Sequence, residues 1–336
     1  MAPTTRLVAK RYARPLGGRR EVLENMSTSQ TPSPIFAIRT IPGRGRGLFA
    51  LIDIAQGTRI ATEAPFFTLP NIDSLNVLEV SILRRLEGLS STQQQQFHAL
   101  YNNFVGQEPP LVGIVRTNVL GINPQIDAIF PTFSFINHSC VPNAYYSGNE
   151  DVRLGSLYAI ADISAGDEIT IKYGDHARGH TGFQCNCQLC ISSLGNRIHS
   201  DIQRDRIKVL EAQIEHRVEI QHEACLEDLR EMKELLLEVY HNCPGTSLAW
   251  VYFTASQVAA SQSDLARASV FAERAYRARR VCEGEDHPYV KCYKMVRDDL
   301  SLRKDYRSTD FRETGFDKVP KHLGLEEFED WLWTWE

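Results

Sequence analysis

Three cysteines within six residues, Cys185, Cys187 and Cys190, constrain this chain more than any other feature. Cysteines so closely spaced do not bridge one another comfortably, because a disulfide needs specific separations and side-chain directions. The chain is long and shows no export signal with an apolar centre at its start, so a reduced compartment and a bound metal fit better than a disulfide framework. Structural zinc takes four ligands in a tetrahedron. The cluster supplies three thiolates, and Cys140, His176, His180 and His199 are the candidates for the fourth. The remaining cysteines, Cys225, Cys243, Cys282 and Cys292, sit in or beside helical patterns and read as small core hydrophobes.

A chain of 336 residues with 43% hydrophobic content can build real cores in about two domains. A net charge of −5 excludes a bulk-basic nucleic-acid binder. No apolar run approaches the roughly 20 residues a membrane helix needs. Neither nucleic acid nor membrane is expected as a partner, and a monomer is the expected state.

Residues 1–34 carry Arg6, Lys10, Arg11, Arg14, Arg19 and Arg20 with no acid before Glu21. That composition predicts a disordered basic arm; a mitochondrial-type presequence or a basic nuclear address are the sharper alternatives. From Ile35 to Pro70 the chain reads as strands, a short one at Ile35–Ile38 and another at Arg59–Ala61. Between them lies Gly43-Arg44-Gly45-Arg46-Gly47-Leu48. A glycine-rich hairpin turn would account for it, and so would a loop whose backbone amides close on a ligand. Leu75, Leu78, Ile82 and Leu86 follow helical spacing, and Ser90-Ser91-Thr92 caps a second helix carrying Phe97, Leu100 and Phe104.

Asn137-His138-Ser139-Cys140-Val141-Pro142-Asn143 is polar and turn-prone. A strand-like run, Leu154–Ile160, follows, then Ile163–Tyr173, then Phe183 and the cysteine cluster. Beyond Ile198 the pattern turns helical. Ile207, Leu210, Ile214 and Val218 form one stripe, and Leu226, Leu229, Met232, Leu236 and Val239 another, before Pro244-Gly245 breaks the period. Helices are predicted over Leu248–Ala260, Leu265–Cys282 and from Pro288 to about Leu302. The acidic stretch at the end, with Trp331, Trp333 and Trp335, reads as a packed tail or a docking segment.

Taken in order, these pieces resemble the core of a SET domain, the fold of protein lysine methyltransferases. Gly45-Arg46-Gly47-Leu48 is similar to the family's amino-terminal signature. Asn137 to Asn143 resembles its cofactor loop, Tyr173 falls where it keeps a catalytic tyrosine, and Cys-x-Cys-x-x-Cys resembles its post-SET zinc cluster. The spacing looks like that of SET-and-MYND-type proteins, but no cysteine precedes Cys140, so their cysteine-rich finger is missing.

The resemblance implies an α+β fold of small sheets with a pseudoknot. The SET domain would span residues 35–182, with a helical insert at about 71–121. A post-SET zinc segment would follow at 183–195, and an all-α, tetratricopeptide-like region at 196–336. It implies S-adenosylmethionine as cofactor, held by Gly45, Arg46, Gly47, Leu48, Asn118, Asn137, His138, Tyr173 and Phe183. Asn118 reads equally well as a helix-terminal residue bonded to backbone. It further implies a structural zinc on Cys140, Cys185, Cys187 and Cys190, a histone or other protein lysine as substrate, and a nuclear or cytoplasmic location.

The chemistry fits those residue types. A sulfonium donor cannot react with an ammonium, so the lysine, ordinarily near pKa 10.4, must lose its proton. An apolar channel beside a second cation favours the neutral amine. Tyr145, Tyr146, Tyr158, Tyr173 and Phe183 are the channel candidates, with Tyr173 the one placed by motif. Two rival readings are a SET-fold enzyme acting on a small amine and a catalytically silent peptide-binding scaffold.

Overall fold

The computed structural model describes residues 34–173, 185–220, 225–241, 243–303 and 305–335. Its amino-terminal half is built from short sheets. Strands β1 (Phe36–Ile41) and β2 (Gly45–Ala50) form a hairpin in which Ile41 faces Gly45. The tight turn between them places Gly43 and Gly45 at φ of 73° and 79°, which favours glycine at both.

Strand β2 then pairs with β10 (Glu168–Ile171), Leu48 opposite Ile169, although the two are far apart in sequence. On its other edge β10 runs parallel to β7 (Asn137–His138), Thr170 opposite Asn137 and Ile171 opposite His138. The sheet order is therefore β1-β2-β10-β7. A second sheet orders β3 (Arg59–Glu63), β9 (Leu154–Ala159) and β8 (Ala144–Asn149). A third orders β4 (Phe67–Pro70), β6 (Ile126–Ile129) and β5 (Leu120–Asn123). Leu48, Ala50, Phe130, Phe133, Ile136, Leu157 and Ile169 fill the core that the first two sheets share.

Between β4 and β5 the chain inserts three helices, α1 (Leu75–Glu87), α2 (Ser91–His98) and α3 (Pro110–Asn118). Leu78, Ile82 and Leu86 of α1 are buried, the face that helical spacing predicted, whereas Leu75 is exposed. Ser90 starts α2 with a reciprocal cap: its hydroxyl accepts the Gln93 amide and the Gln93 side chain accepts the Ser90 amide. The helix stops at His98, short of the Leu100 and Phe104 expected in it. Beyond it the Asn102 side-chain oxygen accepts the Phe104 amide at 2.8 Å in a turn.

The carboxy-terminal half is helical: α4 (Gln188–Ile191), α5 (Leu194–Ile220), α6 (Leu226–Val239), α7 (Thr246–Ser261), α8 (Leu265–Glu283), α9 (Pro288–Asp298) and α10 (Leu325–Trp333). The two predicted stripes converge: Ile207, Leu210 and Ile214 meet Leu229, Met232 and Leu236 in one buried core. Small residues on α7 and α8 let the backbones approach, close enough for the buried Ser256 hydroxyl to reach the Ala268 carbonyl at 2.8 Å. The acidic, aromatic end is packed. Trp333 is buried against Phe271 with ring centroids 4.7 Å apart, and the Trp335 indole N–H donates to Asp264 at 3.0 Å. No helix among the described residues is long and apolar enough to cross a membrane.

The halves meet at the turn between α8 and α9. The buried Ser147 hydroxyl on β8 lies 3.0 Å from His287 Nε2 and donates to Glu283 at 3.3 Å, while Arg279 grips Glu283 through two bonds at 2.8 and 3.1 Å. The Ser–His–Glu order looks like a hydrolase triad. With the three residues 7%, 4% and 3% exposed, though, it serves as a buried joint. At the centre Gly284 has φ of 75°, and a Cβ there would sit 2.0 Å from the Tyr158 hydroxyl oxygen. Gly284→Ala therefore combines a left-handed backbone with a collision. It is expected to cost about 2–4 kcal/mol, lowering the thermal midpoint by about 3–6 °C in a scanning calorimeter. An unchanged midpoint would mean that the joint yields without cost.

Candidate active site and metal centre

The parallel pairing of β7 with β10 assembles the site. Asn143 holds that pairing in place: its amide N–H donates to the Glu168 carbonyl at 2.9 Å and its oxygen accepts the Thr170 amide at 2.8 Å. The Ser139 amide extends the ladder by donating to the Ile171 carbonyl at 3.0 Å. Tyr173, two residues past the end of β10, is thereby brought against β7. Its amide donates to His138 Nδ1 at 3.0 Å, its ring lies 5.3 Å from the imidazole, and its hydroxyl donates to the Ile136 carbonyl at 2.6 Å. Burial, and to a lesser degree the charge of Glu168, pushes the Tyr173 phenol well above its ordinary value, so it stays protonated. That proton goes to the Ile136 carbonyl, so the hydroxyl oxygen keeps its capacity to accept.

Because His138 Nδ1 accepts from Tyr173, the neutral ring carries its proton on Nε2. That nitrogen lies 3.4 Å from the Cys140 sulfur. One imidazole thus ties the tyrosine to the cysteine cluster.

The glycine-rich hairpin closes the other side. Asn137 Nδ2 donates to the Arg46 carbonyl at 3.0 Å and to Glu168 Oε1 at 2.7 Å, and the other Glu168 oxygen pairs with Arg44 at 3.2 Å. Gly47 leaves room for this arrangement: a Cβ there would lie 2.8 Å from Asn137 Nδ2, from Glu168 Oε1 and from Ile41 Cδ1. At Gly43 and Gly45, by contrast, a Cβ would project into open space, so the backbone there is accessible to a ligand. Arg46 points its guanidinium away, donating to the Ala99 carbonyl at 2.7 Å and lying 4.0 Å over the Phe135 ring. Leu48 is fully buried in the core.

The sulfurs of Cys140, Cys185, Cys187 and Cys190 all lie within 4.8 Å of one another, and those of Cys140 and Cys190 are 3.6 Å apart. A tetrahedral zinc at about 2.3 Å from each sulfur sets them roughly 3.8 Å apart, so the donor set and its spacing fit that ion. Burial and neighbouring thiols raise Cys185 to about 11. Cys187 falls to about 6, because the backbone N–H groups of Cys140 and Cys190 outweigh its own burial. Four crowded thiols cannot all ionise without a cation between them. Across the domain boundary, Arg204 on α5 donates to the Cys140 carbonyl at 3.0 Å and to the Tyr240 hydroxyl at 2.9 Å, fastening the cluster to the helices.

Comparison with known proteins bears directly on this arrangement. Residues 45–174, which run from the glycine hairpin past Tyr173, match the SET domain family model. The histone-lysine N-methyltransferase set5 of Schizosaccharomyces pombe is 27% identical over 78% of this chain and 83% of its own length. Residues 45–174 carry a SET domain. The histone-lysine N-methyltransferase SET5 of Meyerozyma guilliermondii is 28% identical over 36% of this chain and 27% of its own. The protein-lysine N-trimethyltransferase SMYD5 of Danio rerio is 37% identical over 22% and 21% respectively.

Within this SET domain, other residues singled out from the sequence have different partners. Asn118 is buried at the end of α3 and spends its amide protons on the Tyr101 and Ile114 carbonyls, each at 2.7 Å. Three of the channel candidates are engaged elsewhere. The Tyr145 hydroxyl bonds Thr246 at 3.1 Å, Tyr146 packs between Phe130 and Phe133, and Tyr158 accepts from Arg59. His199 pairs with Glu238 at 3.3 Å on the surface. Phe183, His176 and His180 lie outside the described residues. Glu168 and Arg204 were missed by the sequence reading. Nothing in the spacing of a lone acid in a strand, or of one arginine in a charged helix, separates it from a solvated neighbour.

Proposed function

We propose that this SET-domain enzyme transfers a methyl group from S-adenosylmethionine to the amine of a protein lysine. The single observation that carries this reading is the parallel β7–β10 pairing, which sets Tyr173 against His138 while Asn137 reaches the backbone of the glycine hairpin. S-adenosylmethionine, when bound, supplies a methyl group on a sulfonium. The accessible backbone at Gly43 and Gly45, with the Asn137 and His138 segment opposite, would hold it. The Tyr173 oxygen is an acceptor aimed by the Ile136 carbonyl, suited to stabilise partial positive charge on a methyl group in flight. Burial, the main cause of the Tyr173 shift, disfavours an ammonium as well, so an amine entering here would give up its proton before attack. The cysteine cluster, holding zinc, would pin the post-SET segment beside the site. The names of the relatives favour a protein lysine, with histones the first substrates to try and the nucleus or cytoplasm the expected place.

The test uses full-length, zinc-loaded protein. Calorimetry should show S-adenosylmethionine binding, and labelled methyl groups should pass to lysine in histone or other protein substrates. Transfer only to free amines would reassign the acceptor. Absence of cofactor binding would turn the molecule into a scaffold.

A further inference from the structure

The segment that aims the Tyr173 hydroxyl is itself held by a residue on a different sheet. Strand β3 ends at Glu63, and its carboxylate accepts three backbone bonds. The Thr132 amide donates to Oε1 at 2.8 Å and to Oε2 at 3.0 Å, and the Phe133 amide donates to Oε2 at 2.9 Å. These amides open the 3-10 turn Phe133–Phe135, whose own N-cap residue, Thr132, makes no side-chain cap. The turn ends on Ile136, whose carbonyl receives the Tyr173 hydroxyl, and continues directly into Asn137 and His138.

We propose that Glu63 is a positioning residue: by fixing the start of the 132–136 turn it sets the direction of the Ile136 carbonyl and hence of the Tyr173 hydroxyl. This rests on the role given to Tyr173 above. A second observation separates the role from simple fold maintenance. Burial raises the Glu63 carboxyl above its ordinary value despite the hydrogen bonds from Thr132 and Phe133. In that balance the ionised group costs the fold stability at neutral pH, since folding favours the protonated form. A charge that the fold holds at a cost, placed where it orients a reacting group, is a pattern of functional sites.

The experiment compares wild type with Glu63→Gln, which replaces one accepting oxygen by a donor that opposes the Thr132 and Phe133 amides. Turnover is expected to fall on the order of ten- to a hundredfold, since small displacements near reacting atoms have effects of that size. The KM values for cofactor and peptide should stay within about twofold of wild type. The Cζ resonance of Tyr173, assigned by its absence in Tyr173→Phe, should move, because that carbon reports the hydroxyl's hydrogen bond. A resonance that stays in place overturns the inference whatever the activity. If wild type itself transfers no methyl group, the proposed function fails, and the resonance alone then decides the role of Glu63. Should Glu63→Gln not fold, Glu63→Asp keeps the charge, withdraws it by one methylene and is read in the same way.

Discussion

Tyr173→Phe is expected to lower turnover about a hundredfold while leaving the dissociation constant for S-adenosylmethionine within about twofold of wild type. The substitution deletes one oxygen and nothing else, so the ring should keep its place 5.3 Å from His138. Two effects follow. On the proposed mechanism an acceptor for the methyl group disappears, and the Ile136 carbonyl loses its 2.6 Å partner in a buried setting. The second effect costs about 1–3 kcal/mol of stability, so turnover should be compared at a temperature where both proteins are folded. Wild type should show no loss of activity from ionisation of Tyr173 as the pH rises toward the range where lysine amines deprotonate, because burial has moved the phenol upward. The same shift sets a stability limit: the unfolded chain ionises this tyrosine near pH 10, so folding weakens as the pH rises above about 10. Single-turnover rates and calorimetry on the two proteins check the prediction. Equal turnover would remove Tyr173 from the chemistry.

Loss of zinc is the second large effect. Purified protein is expected to carry one zinc ion per chain, and Cys140→Ser to carry little, because a serine hydroxyl is a poor substitute for a thiolate. The thermal midpoint should fall by about 10 °C or more, a drop that corresponds to several kcal/mol in a chain of this size. The consequence should reach His138 and Tyr173 as well. Cys140 is two residues from His138, its sulfur lies 3.4 Å from the imidazole, and its carbonyl is held by Arg204 from the helical half. Elemental analysis and thermal unfolding with and without a chelator are the measurements. A full complement of zinc in Cys140→Ser would move the fourth ligand to another residue.

How much of this was readable in the sequence depended on whether the determinant was local. Leu78, Ile82 and Leu86 recur at helical spacing, and the helix that buries them is where the pattern put it. The second insert helix ends at His98, and Phe104, expected in it, instead gives its amide to the Asn102 side chain, a turn that periodicity does not register. In the site, the order glycine hairpin, Asn137 to Asn143, Tyr173, cysteines marked the parts, since each is a short string with its own spacing. Their supports left no such mark. Glu63 acts on residues 69 positions away, Asn137 meets Glu168 across 31, and Arg204 meets Cys140 across 64. The aromatic channel failed to follow from composition for the same reason: Tyr145 and Tyr146 are consecutive on one strand and Tyr158 lies on its neighbour, and only the packing shows which surface each one joins.

The central place of β10 in its sheet also bears on how the enzyme is made. Glu168 pairs with Phe49, and Thr170 with Asn137, so the glycine hairpin and the Asn137–His138 strand both wait for one late strand. A growing polypeptide on the ribosome holds β1 and β2 long before it holds their partner, and β2 offers an open edge in the interval. Closing so long a loop is slow compared with forming the helices that follow. Ligand binding by this protein should thus begin only after synthesis has passed residue 173, and a nascent chain halted earlier should lean on chaperones.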